Sequence, residues 1–100
     1  MKQVFIVRTD LTMSCGKAMA QVAHAAAHSN GPAHSDRIVL RGSIEDVEVA
    51  KSAAVASDIP FFLVVDAGKT QLESGTPTVL SVGPAPKELV GRITKHLKLY

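Results

Sequence analysis

The chain has 100 residues, of which 46% are hydrophobic and 20% are charged, and these proportions are those of an ordinary globular protein. Its length leaves room for one hydrophobic core, so we expect residues 1–100 to form a single domain. No apolar run approaches the roughly 18 to 20 residues of a bilayer-crossing helix, and the net charge of +2 does not by itself indicate a nucleic-acid-binding protein.

The first segment, MKQVFIVRTD, predicts a strand. It has one Lys before a short apolar run and lacks a small-residue cleavage site, so we do not interpret it as a signal peptide and expect a cytoplasmic protein. Continuous apolar runs at Val4 to Val7, Ile38 to Leu40 and Phe61 to Val65 are typical of strands that are covered on both faces. We therefore expect these three strands to be parallel.

Helices are predicted between these strands, from Lys17 to about Ser29 and from Ile44 to about Ala56. A fourth strand, Thr78 to Val82, follows the third after a loop too short for a parallel return, so it should be antiparallel. A last helix should run from Lys87 to about Leu97. The predicted fold is α/β, with three α/β/α layers and a mixed four-stranded sheet whose last strand is antiparallel.

Two polar, glycine-containing loops follow parallel strands in this topology, Thr9 to Gly16 after the first strand and Asp66 to Thr76 after the third. Both should leave the sheet at the carboxyl ends of the strands, where open α/β sheets bind ligands. The sequence therefore predicts a functional site at this edge.

The first helix has one polar line along an otherwise apolar surface, and Lys17, Gln21, His24 and His28 form it. We expect this helix to be packed on most sides with its polar line along a cleft, although an ordinary surface stripe fits the same pattern. Lys17 lies in the first turn, where a cation opposes the helix dipole at a cost of about 0.3 to 1 kcal/mol. A nearby anion would compensate for this charge.

Several other motif interpretations are weaker. Gly68-Lys69-Thr70 resembles the end of a phosphate-binding loop, but Leu63 occupies the place of its first glycine and a strand should follow. His24 and His28 have the spacing of helical metal ligands, yet they lack an intervening glutamate, and only the loop residue His34 could be a third ligand. Cys15 is the single cysteine, and His24 lies roughly 13 Å from it along the helix, too far for a catalytic pair.

The carboxyl-terminal segment is basic. Residues 84–100 contain Lys87, Arg92, Lys95 and Lys98 against the single acid Glu88. A solvated helix face and a surface that contacts phosphates both fit this pattern.

Three segments, RTDLTMSCGKAMAQVAHAA, VVDAGKTQLESGTPTVLSVGPAP and ITKHLKLY, resemble the signature segments of the peptidyl-tRNA hydrolase 2 family of archaea and eukaryotes. The resemblance covers nearly the whole chain, and its motifs occur in the family's order. It implies a mixed four-stranded sheet flanked by helices. It also implies cleavage of the ester between a peptide and the terminal ribose of tRNA, without a metal or organic cofactor.

By position, the resemblance assigns the catalytic group to Lys17, Gln21, Asp66 and Thr70. The expected substrate-binding residues are His24, Lys69, Gln71, Thr76, Arg92, Lys95 and Lys98. Our hypothesis is that Asp66 orients or deprotonates the attacking water and that Lys17 stabilises the oxyanion or keeps Asp66 ionised. Gln21 and Thr70 would hold the water and the ester, and Gly68 would allow the sharp turn of the loop.

The chain also departs from the family pattern. It has Cys15 where a basic residue is common, Lys69 where arginine is usual, and Val65 before the aspartate. Ser29 to Asp36 form a short loop where relatives usually insert a helix. An alternative function is therefore that of a catalytically weak relative that binds tRNA or a protein through the same edge. The expected partner is a peptidyl-tRNA substrate, with no membrane, and the chain should be a monomer or a homodimer.

Overall fold

The computed structural model describes residues 1–29, 35–68 and 72–100. Its elements are β1 (Lys2–Arg8), α1 (Cys15–Ala27), β2 (Asp36–Gly42), α2 (Ile44–Ala56), β3 (Phe61–Val65), β4 (Pro77–Ala85), α3 (Lys87–Thr94) and β5 (Lys98–Leu99). All four predicted strands and all three predicted helices are present. Asn30, Gly31 and Pro32, which follow the predicted end of the first helix, and the loop residue His34 lie outside the described residues.

The strands form one mixed sheet in the order β3-β4-β1-β2-β5. β1 pairs parallel with β2, whereas β4 pairs antiparallel with both β1 and β3. β3 therefore runs in the same direction as β1 and β2, as predicted, although β4 separates it from β1. The predicted antiparallel direction of β4 is also confirmed.

The predicted count of four strands is wrong, because β5 adds a fifth strand that pairs antiparallel with β2. The predicted last helix was also too long, since α3 ends at Thr94. The apolar spacing extended that helix to Leu97, but the chain leaves the helix earlier and Leu97 still packs against the same core. Lys98 and Leu99 are both exposed, so backbone pairing rather than side-chain burial defines β5.

Helices cover both faces of the sheet, which confirms the three-layer arrangement. The side chains of β1 alternate between two cores: Val4 and Ile6 pack with α2 and α3, and Phe5 and Val7 pack with α1. All four side chains are at most 2% exposed. This explains why the strand is apolar at every position.

Helix α1 begins directly after Ser14, its N-cap, whose hydroxyl accepts a hydrogen bond from the backbone N–H of Lys17. The expectation that this helix is packed on most sides is wrong. Met19 is 63% exposed, and Ala20, Ala23 and Ala27 are exposed as well. One stripe of α1 faces the sheet, and the high alanine content is explained by helix propensity rather than by close packing all round.

The carboxyl ends of β1, β2 and β3 lie at one edge of the sheet, hereafter the carboxyl edge. Arg8, the last residue of β1, makes two hydrogen bonds to the carboxylate of Asp10 and donates a third, of 3.0 Å, to the carbonyl oxygen of Pro77. Asp10 also accepts a hydrogen bond from the backbone N–H of Ile44 at the start of α2. These contacts tie the loop after β1 to β4 and α2. Nowhere in the described parts of the chain is a helix long and apolar enough to cross a membrane.

Candidate active site

The loops that follow β1 and β3 bring Lys17 and Asp66 into contact at the carboxyl edge. Asp66 directly follows β3, and Lys17 lies in the first turn of α1. The ammonium group of Lys17 donates a hydrogen bond to Oδ1 of Asp66, and the side chains are only 13% and 3% exposed. Asp66 is thus the anion that compensates for a cation at the positive end of the α1 dipole.

Further hydrogen bonds fix the orientation of Asp66. Its Oδ2 accepts a hydrogen bond of 2.7 Å from the backbone N–H of Gly68, and Nε2 of Gln21 approaches Oδ1 at 3.4 Å. Its backbone N–H donates to the carbonyl oxygen of Thr76, and its own carbonyl accepts from the N–H of Gly75, both at 2.8 Å. We call the side chains of Lys17, Gln21 and Asp66, with the backbone N–H of Gly68, the Asp66 cluster.

Gly68 is the residue that allows this loop to return its N–H to Asp66. Its φ is +78°, a conformation that L side chains rarely adopt. A Cβ at this position would lie 2.8 Å from the backbone nitrogen of Ser74 and 2.9 Å from its Cα. The expected role of Gly68 in a sharp turn is therefore confirmed, and close approach of the backbone adds a second reason for glycine.

These donors keep Asp66 ionised. The hydrogen bond from Lys17 is the largest cause that lowers the pKa of Asp66 below its ordinary value of 3.8, and the N–H of Gly68 is the next. Burial acts in the opposite direction but does not outweigh them. A carboxylate with a lowered pKa is a weak base but a good hydrogen-bond acceptor, so this group is suited to orienting a water molecule.

His24 and His28 continue the polar line of α1 along the sheet, next to the half-buried ring of Phe62 on β3. The ring of His28 stacks on that of Phe62 with a centroid distance of 4.2 Å, and the rings of His24 and His28 are 4.8 Å apart. Among the described residues, no group of three His, Cys, Asp or Glu side chains is placed to hold a metal ion.

Of the other predicted site residues in the second loop, the structure describes only Thr76. The hydroxyl of Thr76 donates a hydrogen bond of 2.8 Å to the carbonyl oxygen of Glu73, and its backbone carbonyl holds Asp66. In the structure Thr76 therefore shapes the loop. The predicted catalytic residue Thr70 and the predicted substrate-binding residues Lys69 and Gln71 lie outside the described residues.

The predicted basic residues of the carboxyl-terminal segment lie away from the Asp66 cluster. Arg92, on α3, and Lys95, the residue that caps its carboxyl end, are exposed; this helix covers the sheet face opposite α1. Lys98, on β5, pairs with Arg41 at the end of β2. β5 lies four strand spacings from β3, or about 19 Å across the sheet. The fold thus brings Lys98 to the carboxyl edge, at the opposite end of the sheet from Asp66.

Arg41 is a basic residue that the sequence interpretation missed. It is exposed and, together with Lys98 and His96, lines a cleft of about 300 Å³ at the carboxyl edge. The predicted strand stopped at Leu40, two residues before the end of β2 at Gly42. The carboxyl-end rule for parallel strands, applied to the full length of β2, would have identified Arg41.

Comparison with known proteins identifies the family of this chain. The chain is 41% identical over 114 residues to a probable peptidyl-tRNA hydrolase 2 of Dictyostelium discoideum, with 99% of the chain and 54% of that protein covered. It is 42% identical over 121 residues to a peptidyl-tRNA hydrolase of Aeropyrum pernix, with 99% of the chain and 95% of that protein covered. The chain thus spans about half of the Dictyostelium relative but nearly all of the archaeal one.

A solved structure supports the fold. A protein of unknown function from Agrobacterium tumefaciens strain C58 matches with a TM-score of 0.76 and 15% identity, over 99% of this chain and 96% of that one. At this identity the match bears on the fold alone. The family model described as "Peptidyl-tRNA hydrolase PTH2" matches residues 1–100, and the chain therefore belongs to the peptidyl-tRNA hydrolase 2 family.

Proposed function

We propose that the Asp66 cluster hydrolyses the ester bond between peptide and tRNA in peptidyl-tRNA and so releases free tRNA for translation. The observation that carries this proposal is the contact between Lys17 and Asp66 at the carboxyl edge, where an ionised carboxylate and an ammonium group lie side by side. The chain's family and the names of its relatives supply the substrate. The cluster supplies the chemistry that this substrate needs.

Hydrolysis of an ester requires a positioned water, an acceptor for its proton and stabilisation of the negative carbonyl oxygen. Asp66 is ionised because of Lys17 and Gly68, so it accepts a hydrogen bond from the water and aligns it with the ester carbon. The positive charge of Lys17 stabilises the oxygen on which negative charge develops. The C–O bond to the ribose then breaks as the carbonyl re-forms, and the proton that Asp66 accepts from the attacking water is passed to the ribose oxygen, which is the leaving group.

Gln21 has a positioning role in this mechanism. It is only 8% exposed, and its amide points towards Oδ1 of Asp66 at 3.4 Å. An amide has both donors and an acceptor, so it can hold the water beside the carboxylate. Thr70 is proposed to hold the ester by a hydrogen bond, and Lys69 and Gln71 to contact the substrate beside it.

The body of the tRNA would lie across the carboxyl edge. Lys98 and Arg41 belong to the opposite end of this edge from Asp66, roughly 19 Å away, a separation that a nucleic-acid helix can bridge. Arg92 and Lys95 extend the positive surface onto α3. These residues would contact phosphates and add affinity without entering the reaction. The function also implies a cytoplasmic location, while a monomeric or homodimeric state stays a prediction.

The test is hydrolysis of peptidyl-tRNA by the purified chain, with binding of uncharged tRNA measured in parallel. We expect multiple turnovers that release free peptide and tRNA. Binding of uncharged tRNA without turnover would contradict the proposal and would support the alternative of a tRNA-binding relative without effective catalysis. Failure of both assays would also reject the tRNA interaction.

A further inference from the structure

Three flat rings lie together beside the Asp66 cluster. The rings of His28 and Phe62 are parallel to within 6°, with centroids 4.2 Å apart. The ring of His24 lies 4.8 Å from that of His28 and 6.4 Å from that of Phe62, and is inclined by only 24° to both. Phe62 is half-buried against the core under α1, while both imidazoles are exposed. The exposed imidazoles of His24 and His28 thus rest beside the ring of Phe62, and we call these three rings the layer.

The layer is held by rigid parts of the fold. His24 and His28 are one turn apart on α1, and Phe62 lies in β3. Nδ1 of His28 lies 3.0 Å from the carbonyl oxygen of His24. Because a carbonyl oxygen can only accept, Nδ1 of His28 is the donor, and this hydrogen bond limits rotation of the ring. The plane of the His28 ring is therefore set before a ligand arrives.

Packing over Phe62 explains only part of this arrangement. His28 covers the ring of Phe62 directly, whereas the ring of His24 lies farther away, at 6.4 Å, and still adopts a similar plane. A shared metal ion does not explain it either, because no third ligand lies beside the two imidazoles among the described residues and Nδ1 of His28 is already engaged. Two exposed, parallel, nitrogen-containing rings are the kind of surface on which a nucleobase stacks.

The position of the layer fits the unpaired end of a tRNA. His24 follows Lys17 by seven residues of α1, which corresponds to a rise of about 10 Å. That distance is roughly three stacked base steps of 3.4 Å. The ester of peptidyl-tRNA is carried by the terminal ribose, so with the ester at Asp66 the last few unpaired bases reach His24 and His28.

We infer that His24 and His28 form a stacking surface for the unpaired bases at the 3′ end of the tRNA, an inference that rests on the proposed function. Stacking accepts any base, because every base has a π face, and it would hold the terminal ribose in register with Asp66. His24 and His28 are thus positioning residues. They act on binding and alignment, and the Asp66 cluster acts on the ester.

The experiment uses tRNA with 2-aminopurine in place of one of the last three unpaired bases at its 3′ end, tested at each position in turn, because stacking quenches the fluorescence of this base. We expect the wild-type chain to quench it on binding. His24→Ala and His28→Ala should each reduce the quench and weaken binding or raise KM by at least about five-fold, with kcat changed much less. His28→Phe keeps a flat ring and should restore the quench.

The matched control is Val55→Ala, which shortens an exposed side chain on α2, on the other face of the sheet. It should behave as wild type. The inference is overturned if neither alanine variant changes the quench or KM, or if His28→Phe is as defective as His28→Ala. A wild-type chain that quenches the probe but does not hydrolyse peptidyl-tRNA would refute the proposed catalysis while leaving the stacking surface in place.

Discussion

The contact between Lys17 and Asp66 predicts that the two residues act as one catalytic unit. Asp66→Asn keeps the shape of the side chain but removes its charge, and Lys17→Met keeps the aliphatic length but removes the ammonium group. Each change should lower kcat by about 10² or more, the usual contribution of an acid–base group or an oxyanion-stabilising donor. The fold should be retained in both variants.

The loss of kcat in the double variant shows whether the two residues act together or independently. Independent residues would have multiplicative effects, so two losses of about 10² would combine to about 10⁴. Because Lys17 contacts Asp66 directly and the two side chains are only 13% and 3% exposed, removing either partner already breaks the unit. We therefore expect the double variant to lose little more than the worse single variant, about 10² to 10³.

The assay is release of peptide from saturating peptidyl-tRNA, with circular dichroism and Tm measured for each variant. Lys87→Met is the matched control, because Lys87 lies 3.9 Å from Asp36 in an exposed ion pair at the other end of the sheet. Exposed pairs of this kind contribute little, so its kcat should stay near that of wild type. A near-normal kcat for Asp66→Asn, or a fully multiplicative double variant, would refute the reasoning.

The remaining predictions concern acid stability, tRNA affinity, the loop and metal independence. The pKa of Asp66 lies below 3.8, so the stabilising effect of its carboxylate is present above that pH and is lost as the pH falls through the lower folded-state pKa. In urea titrations the stability difference between wild type and Asp66→Asn should therefore shrink only below about pH 3.8, and a loss already at pH 6 would contradict this. Neutralising Arg92, Lys95 or Lys98 should raise KM and reduce the salt slope by about 0.7 to 0.9 for each phosphate contact removed, and a fall in kcat at unchanged KM would be the wrong result. Gly68→Ala should lower kcat, because its Cβ would clash with the backbone of Ser74 and displace the N–H that holds Asp66; unchanged kcat would show that this donor is dispensable. Hydrolysis should survive a strong chelator, provided that the tRNA stays folded, and a loss that zinc restores would reject this prediction.

Local sequence patterns predicted the main elements well. The bounds of β3 were predicted without error, and those of α2 agree with the structure because Ser43 caps it through both halves of a capping box. The position of Asp66 at the carboxyl end of a parallel strand also followed from the alternation of strands and helices. These features depend on the spacing of apolar residues and on capping residues, both of which can be recognised in a short stretch of sequence.

Features that depend on distant contacts were harder to predict. β5 consists of two exposed residues that pair with β2, more than 50 positions away in the chain, and carry no apolar pattern of their own. The stacking of His28 on Phe62 likewise depends on how α1 crosses β3. The width of the covered stripe on α1 was overestimated, because composition does not state which side of a helix has a neighbour.

The contact with Asp66 reverses the stability effect that is expected for Lys17 from its position in the helix alone. Considered alone, a cation in the first turn of α1 destabilises the helix by about 0.3 to 1 kcal/mol, so its removal should raise stability. In the structure this cation pairs with the nearly buried carboxylate of Asp66. Lys17→Met leaves that carboxylate without its main partner, and we therefore expect Tm to fall rather than rise.

The most direct test of the central claim is single-turnover hydrolysis of peptidyl-tRNA in ¹⁸O-labelled water, with wild type and Asp66→Asn each in excess over substrate. Attack of water on the ester carbonyl places the label in the carboxylate of the released peptide and leaves the tRNA intact. We expect wild type to release labelled peptide at least about 10² faster than Asp66→Asn, although both bind uncharged tRNA with similar Kd. Equal rates for the two proteins, or unlabelled peptide from wild type, would contradict the assignment of hydrolysis to the Asp66 cluster.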